Sequence, residues 1–149
     1  MIDVLIGAAA ALAGSGLTGW LQHRSTALAE RATRRDRVVD AAGELSEALR
    51  AHREAQFTRI RLERDEADAE QQVEARWAAW GSQTRLNAAL DRLLLRAGPG
   101  QLADAAEAAV DATVALWDER GMADWERLGN AARAAHRAFL NAAAEHAGN

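Results

Sequence analysis

The chain has one proline, Pro99, in 149 residues. With no proline between Gln22 and Ala97, and glycine there only at Gly43 and Gly81, nothing in that stretch forces a helix to stop. Alanine supplies much of the apolar content, aromatic residues are few and tyrosine is absent. Such a composition favours helices joined by short connections. The expected fold class is all-α: a single N-terminal transmembrane helix continuing into a cytoplasmic helical hairpin or bundle.

From Val4 to Gln22 no side chain is charged, and as a helix this stretch is about 28 Å long, close to the thickness of a bilayer's hydrocarbon layer. It opens Met1-Ile2-Asp3 without the positive charge of a cleavable signal. Residues 1–22 are therefore expected to be a transmembrane anchor and 23–149 the body. Arg24, Arg31, Arg34, Arg35 and Arg37 follow the stretch and no basic residue precedes it. This asymmetry predicts a single-pass protein of the inner (cytoplasmic) membrane, N-terminus out and body cytoplasmic, with the five arginines near lipid headgroups. Gly7, Ala11, Gly14, Ser15, Thr18 and Gly19 fall on one side at helical spacing, a small-residue face of the kind through which membrane helices self-associate.

In the body, Leu28, Ala32, Val39, Ala42, Leu45, Leu49, Gln56, Phe57 and Ile60 trace a helical stripe. Four helices are expected at about 23–62, 69–97, 100–119 and 122–146. Asp68 is placed to cap the second, with Gln71 in capping-box register. Gly98-Pro99-Gly100 ends it, with Arg92 and Arg96 in its last turn. Trp77, Trp80, Trp117, Trp125 and Phe139 are expected to pack the bundle, with Trp117 and Trp125 in contact across the turn at Gly121. Because alanine buries little area, the body is expected to gain from self-association.

No chemistry is visible. A chain without cysteine has no thiolate ligand or cysteine nucleophile, and one without lysine has no phosphate-binding Gly-Lys-Ser/Thr loop. His23, His52, His136 and His146 lack a Glu or His at the three- or four-residue spacing of a helical metal pair. His136 and His146 are expected on solvated helix surfaces. The serines form no nucleophile elbow. No catalytic residue, metal site or cofactor is expected, and the chain is read as non-enzymatic. A net charge of -4 argues against general nucleic-acid binding. Direct contact of the arginines with nucleic acid is not expected.

The order of features resembles the KilB-type proteins of actinomycete, particularly Streptomyces, conjugative plasmids. The resemblance is carried by Leu17-Thr18-Gly19-Trp20-Leu21-Gln22-His23, by Leu49-Arg50-Ala51-His52-Arg53, by Thr84-Arg85 leading to Leu90, and by the alanine-rich segments from Leu102 to His146. It implies a membrane-associated, homo-oligomeric component of plasmid transfer and intramycelial spread. Its implied partners are membrane lipids, a DNA-translocating ATPase and other spread proteins. Two alternatives stand beside it: a phage- or toxin-like pore-forming protein, and a helical adaptor for a partner protein.

Overall fold

The structure is a computed structural model. It describes the backbone of residues 2–117 and 122–148, and the side chains of residues 29–116 and 124–148. Every described element is helical: α1 (Ile2–Arg64), α2 (Ala69–Ala97), α3 (Gln101–Val114), a single 3-10 turn (Ala115–Trp117) and α4 (Met122–Gly148). The chain divides into two compact units, residues 1–36 and 37–149. In the first, residues 29–36 are exposed on all sides and Thr33 donates back to the Ala29 carbonyl.

Between α1 and α2 the chain turns without glycine. Glu66 takes a left-handed conformation with φ 52°, and the Asp68 carboxylate accepts from the Gln71 backbone N–H at 2.9 Å. That bond satisfies one of the free donors at the start of α2, as the capping register predicts. At its other end α2 stops where Gly98 adopts φ +72° and its N–H closes on the Leu94 carbonyl. Gly100, at φ +147°, starts α3. Residues with a Cβ adopt such backbone angles only with strain.

In the second unit the helices run alternately up and down. The pairs Glu44–Arg92, His52–Ser82 and Glu63–Arg76 advance along α1 while retreating along α2. Ser46–His136 and Phe57–Trp125 do the same for α1 and α4, and Gln101 reaches Glu145 between α3 and α4. One core holds Val38, Leu45 and Leu49 of α1, Leu86 and Leu93 of α2, Leu102 and Val110 of α3, and Phe139 of α4, with alanines between them.

The inward seam of α1 follows a heptad. Val38, Leu45, His52 and Arg59 recur at one position, and Ala42, Leu49, Gln56 and Glu63 at the other. Its first half is apolar and its second half polar. α3 has only 14 residues against 29 in α2 and 27 in α4, and its buried residues join the apolar half. Within α3, Thr113 donates to the Ala109 carbonyl, a back-bond that weakens a helix near its end. The α-helix there stops at Val114 rather than near residue 119.

The expectation of a single-pass inner-membrane protein, N-terminus out and body cytoplasmic, is corrected here. Among the described residues no helix is long and apolar enough to cross a membrane. Alanine and glycine, which dominate residues 7–16, contribute little apolar area per residue, so length without charge does not amount to a span. The small-residue face of Gly7, Ala11, Gly14, Ser15, Thr18 and Gly19, the Arg24 side chain and the Trp117–Trp125 contact all lie outside the described residues.

The two kinds of glycine respond oppositely to the same substitution. Gly43 is an exposed helical position with nothing within 4 Å of an added Cβ, so Gly43→Ala should stabilise the fold by about 0.5–1 kcal/mol. Gly98→Ala should destabilise it by about 1–2 kcal/mol, because the left-handed angle remains. Urea unfolding of the two variants checks both signs.

Candidate functional site

The polar half of the α1 seam is a directed chain of hydrogen bonds. Ser82 donates its only hydroxyl proton to the Ala79 carbonyl at 2.6 Å, so towards His52 Nδ1, 2.7 Å away, its oxygen must accept. His52, 1% exposed, therefore carries its proton on Nδ1. Its Nε2 is left as an acceptor for the Gln56 amide at 3.4 Å. Gln56 Oε1 accepts from Arg59 Nε at 3.0 Å, Arg59 reaches Glu63, and Glu63 accepts from Arg76 of α2. The chain thus leads from a buried imidazole to a carboxylate near the surface. Burial pushes the His52 pKa below its ordinary 6.5.

A second network joins α1 to α4. Arg53 Nη2 lies 2.9 Å from His136 Nδ1, and a guanidinium only donates, so Nδ1 accepts and His136 carries its proton on Nε2. That proton goes to Ser46 Oγ at 2.8 Å. His136 is buried, not on a solvated surface as its spacing suggested. Burial first, and then the Arg53 and Arg50 cations, hold its pKa below the ordinary value. The Arg53 guanidinium is itself pushed down by burial and by the neighbouring Arg133 and Arg50. Its Nη1 is buried without a partner. Sequence spacing missed both networks, although His52 stands one heptad after Leu45, which was the available signal.

The expected packing residues separate. Phe139 is fully buried. Trp125 is half-buried and meets the exposed Phe57, ring centroids 6.5 Å apart. Trp77 and Trp80 are not core residues, at 64% and 59% exposed. They stack on each other, nearly parallel, with centroids 5.4 Å apart. The core of α2 is marked by Ala75, Ala79, Ser82, Leu86, Ala89 and Leu93, and a turn of 100° per residue puts the two tryptophans on the opposite side. Val73, Thr84 and the 87% exposed Leu95 share that outward stripe. Glu70 and Glu74 flank its first half and Arg85 its second, on the same edge. Arg31, Arg34, Arg35 and Arg37 are exposed, as is His146. Among the described residues no group of three or more metal-type ligands comes together.

An antiparallel helical bundle with two interior polar networks and an outward aromatic stripe places the chain among all-helical bundle proteins. The chain belongs to the KilB plasmid transfer protein family, whose model matches residues 39–147. It is 36% identical over 90 residues to Protein KilB of Streptomyces lividans, a match covering 60% of this chain and 61% of that relative. The chain therefore matches less than two thirds of the relative's length. No solved structure matches. Family membership supports a plasmid-transfer-related role, and the matched range begins inside the second unit and includes both polar networks.

The two depressed imidazoles set a pH dependence. Below the ordinary 6.5 the unfolded chain takes up protons that the folded histidines resist, so stability should fall as pH drops from 7 towards the folded pKa values. Denaturant midpoints measured across this range should decline for the wild type and decline less steeply for His136→Gln.

Proposed function

We propose that the chain serves plasmid transfer and intramycelial spread as a non-enzymatic, self-associating helical component, working alongside a DNA-translocating ATPase and other spread proteins. The family match over residues 39–147 supports the setting. The observation that carries self-association is the stacked, outward Trp77–Trp80 pair within the stripe from Val73 to Leu95. Large aromatics held flat in water on a rigid helix offer area at small entropic cost, and residues of this kind dominate the energetics of protein contacts.

The charges beside the stripe favour a second copy as the occupant. Among the described residues Glu70 and Glu74 make no ion pair, and neither does Arg85, whose Nε donates to the Gly81 carbonyl at 3.3 Å. If two α2 helices meet antiparallel across a two-fold axis between Trp77 and Trp80, each Glu74 comes within about 3 Å, along the helix axis, of the level of Arg85 of the second copy and on the same edge. With Trp77 and Trp80 64% and 59% exposed, burying four tryptophans in such a contact removes up to roughly 90–150 Å² of surface per ring.

Light scattering coupled to size exclusion tests this. The wild type should run as a dimer or larger. Replacing both Trp77 and Trp80 by Ser should give a folded monomer, because exposed positions contribute little to folding. Glu74→Arg and Arg85→Glu should each weaken association, and the double reversal should restore it. A wild-type monomer at every concentration, or association unchanged in the double serine variant, would reject the reading.

A further inference from the structure

Arginines on the described surface of this bundle commonly find acids. Arg59 and Arg76 meet Glu63, Arg64 meets Asp65, Arg92 meets Glu44 and Arg127 meets Asp124. At the α1–α4 face the pattern fails. Arg50, Arg53 and Arg133 lie close enough for Arg50 and Arg133 both to disfavour the charge on Arg53, and no ion pair among the described residues involves any of the three. Arg53 spends Nη2 on a neutral imidazole. Arg133 spends Nη2 on the neutral Asn130 amide oxygen at 2.7 Å, and its Nη1 stands 3.8 Å from where a Cβ on Gly129 would lie. Arg50 is exposed, one helical turn before Arg53.

Three permanent cations from two helices thus converge without an ion pair among the described residues, Glu47 lining the groove beside Arg50 without pairing to it, and the central one keeps a buried donor, Nη1, with no acceptor. Leaving a charged donor unsatisfied inside a protein is costly, and like charges add to that cost. His136 cannot neutralise the cluster. An imidazole carries no negative charge to offer, and both of its ring nitrogens are already committed. An anion would reverse each of these costs at once.

We propose that the α1–α4 face around Arg53 binds a small phosphate-type oxyanion, with Arg53 Nη1 as the inner donor and Arg50 and Arg133 closing over it. Three guanidiniums suit an anion of more than one charge with several acceptor oxygens better than a single carboxylate. The cationic groups form a compact cluster rather than a stripe, which fits a small anion and not a polymer backbone. The site lies within the matched family range, but it does not depend on self-association, because α2 contributes none of its residues.

The test is a comparison of sodium phosphate with sodium chloride at matched ionic strength, using the full chain. Phosphate should raise the melting temperature in a saturable way, and the 31P resonance should broaden on adding protein. Arg53→Gln, Arg50→Gln and Arg133→Gln should each weaken phosphate binding by about tenfold or more. The Arg64→Gln control, at the exposed end of α1, should bind as the wild type does. If Arg53→Gln fails to fold, the two exposed positions decide the matter. Equal melting temperatures in the two salts would overturn the proposal, as would wild-type binding by both Arg50→Gln and Arg133→Gln. A duplex oligonucleotide that bound through the same arginines while inorganic phosphate did not would replace the small anion with nucleic acid.

Discussion

The hydrogen bond from His52 Nδ1 to Ser82 Oγ joins α1 to α2 at the level where the core ceases to be apolar. Ser82 is tied to its own helix through the Ala79 carbonyl, so the imidazole is held against a fixed acceptor. The bond can form in one register only. Sliding α2 by a turn would strand a buried imidazole and a buried hydroxyl, each at a cost of about 1–3 kcal/mol.

That restriction matters because much of the surrounding surface is alanine. Ala41, Ala42, Ala79, Ala106, Ala109 and Ala132 are buried nearly completely, and methyl groups of one size interlock poorly enough to allow alternative alignments. The leucines and Phe139 supply the apolar area, while the two polar networks choose among alignments, as a single polar residue does at a coiled-coil seam. α3 stays short because its buried face serves the apolar half only. Beyond it, α1, α2 and α4 carry the polar layers, and Phe57 leans on Trp125 near the far end.

Helix ends were legible in the sequence because they depend on local chemistry. Asp68 before Gln71 and Gly98 before Pro99 act through bonds within a few residues, and the structure has both caps. The inward faces were harder to read. Size marks Trp77 and Trp80 for the core. The phase of Ala75, Ala79, Leu86 and Leu93 in fact turns them out. Alanine is compatible with either face, so in an alanine-rich helix the phase is carried by a few leucines. His136 looks like a surface group, and His52 like a lone histidine without a role, for a related reason, since their partners Ser82, Arg53 and Ser46 come from other helices and are not implied by spacing. The apolar opening stretch shows a third limit, where absence of charge suggests lipid affinity although most of its residues are too small to supply it.

The body therefore combines an interior that fixes one alignment with an exterior that leaves an aromatic stripe and an arginine cluster unmatched. A rigid bundle presenting unmatched surface suits a component of a transfer assembly. Its rigidity rests on two neutral imidazoles with opposite tautomers, and nitrogen-15 NMR of the histidine rings at neutral pH observes them directly. His52 should appear protonated on Nδ1 and His136 on Nε2, both uncharged. Exchange-averaged tautomers, or an imidazolium at either position, would contradict the account.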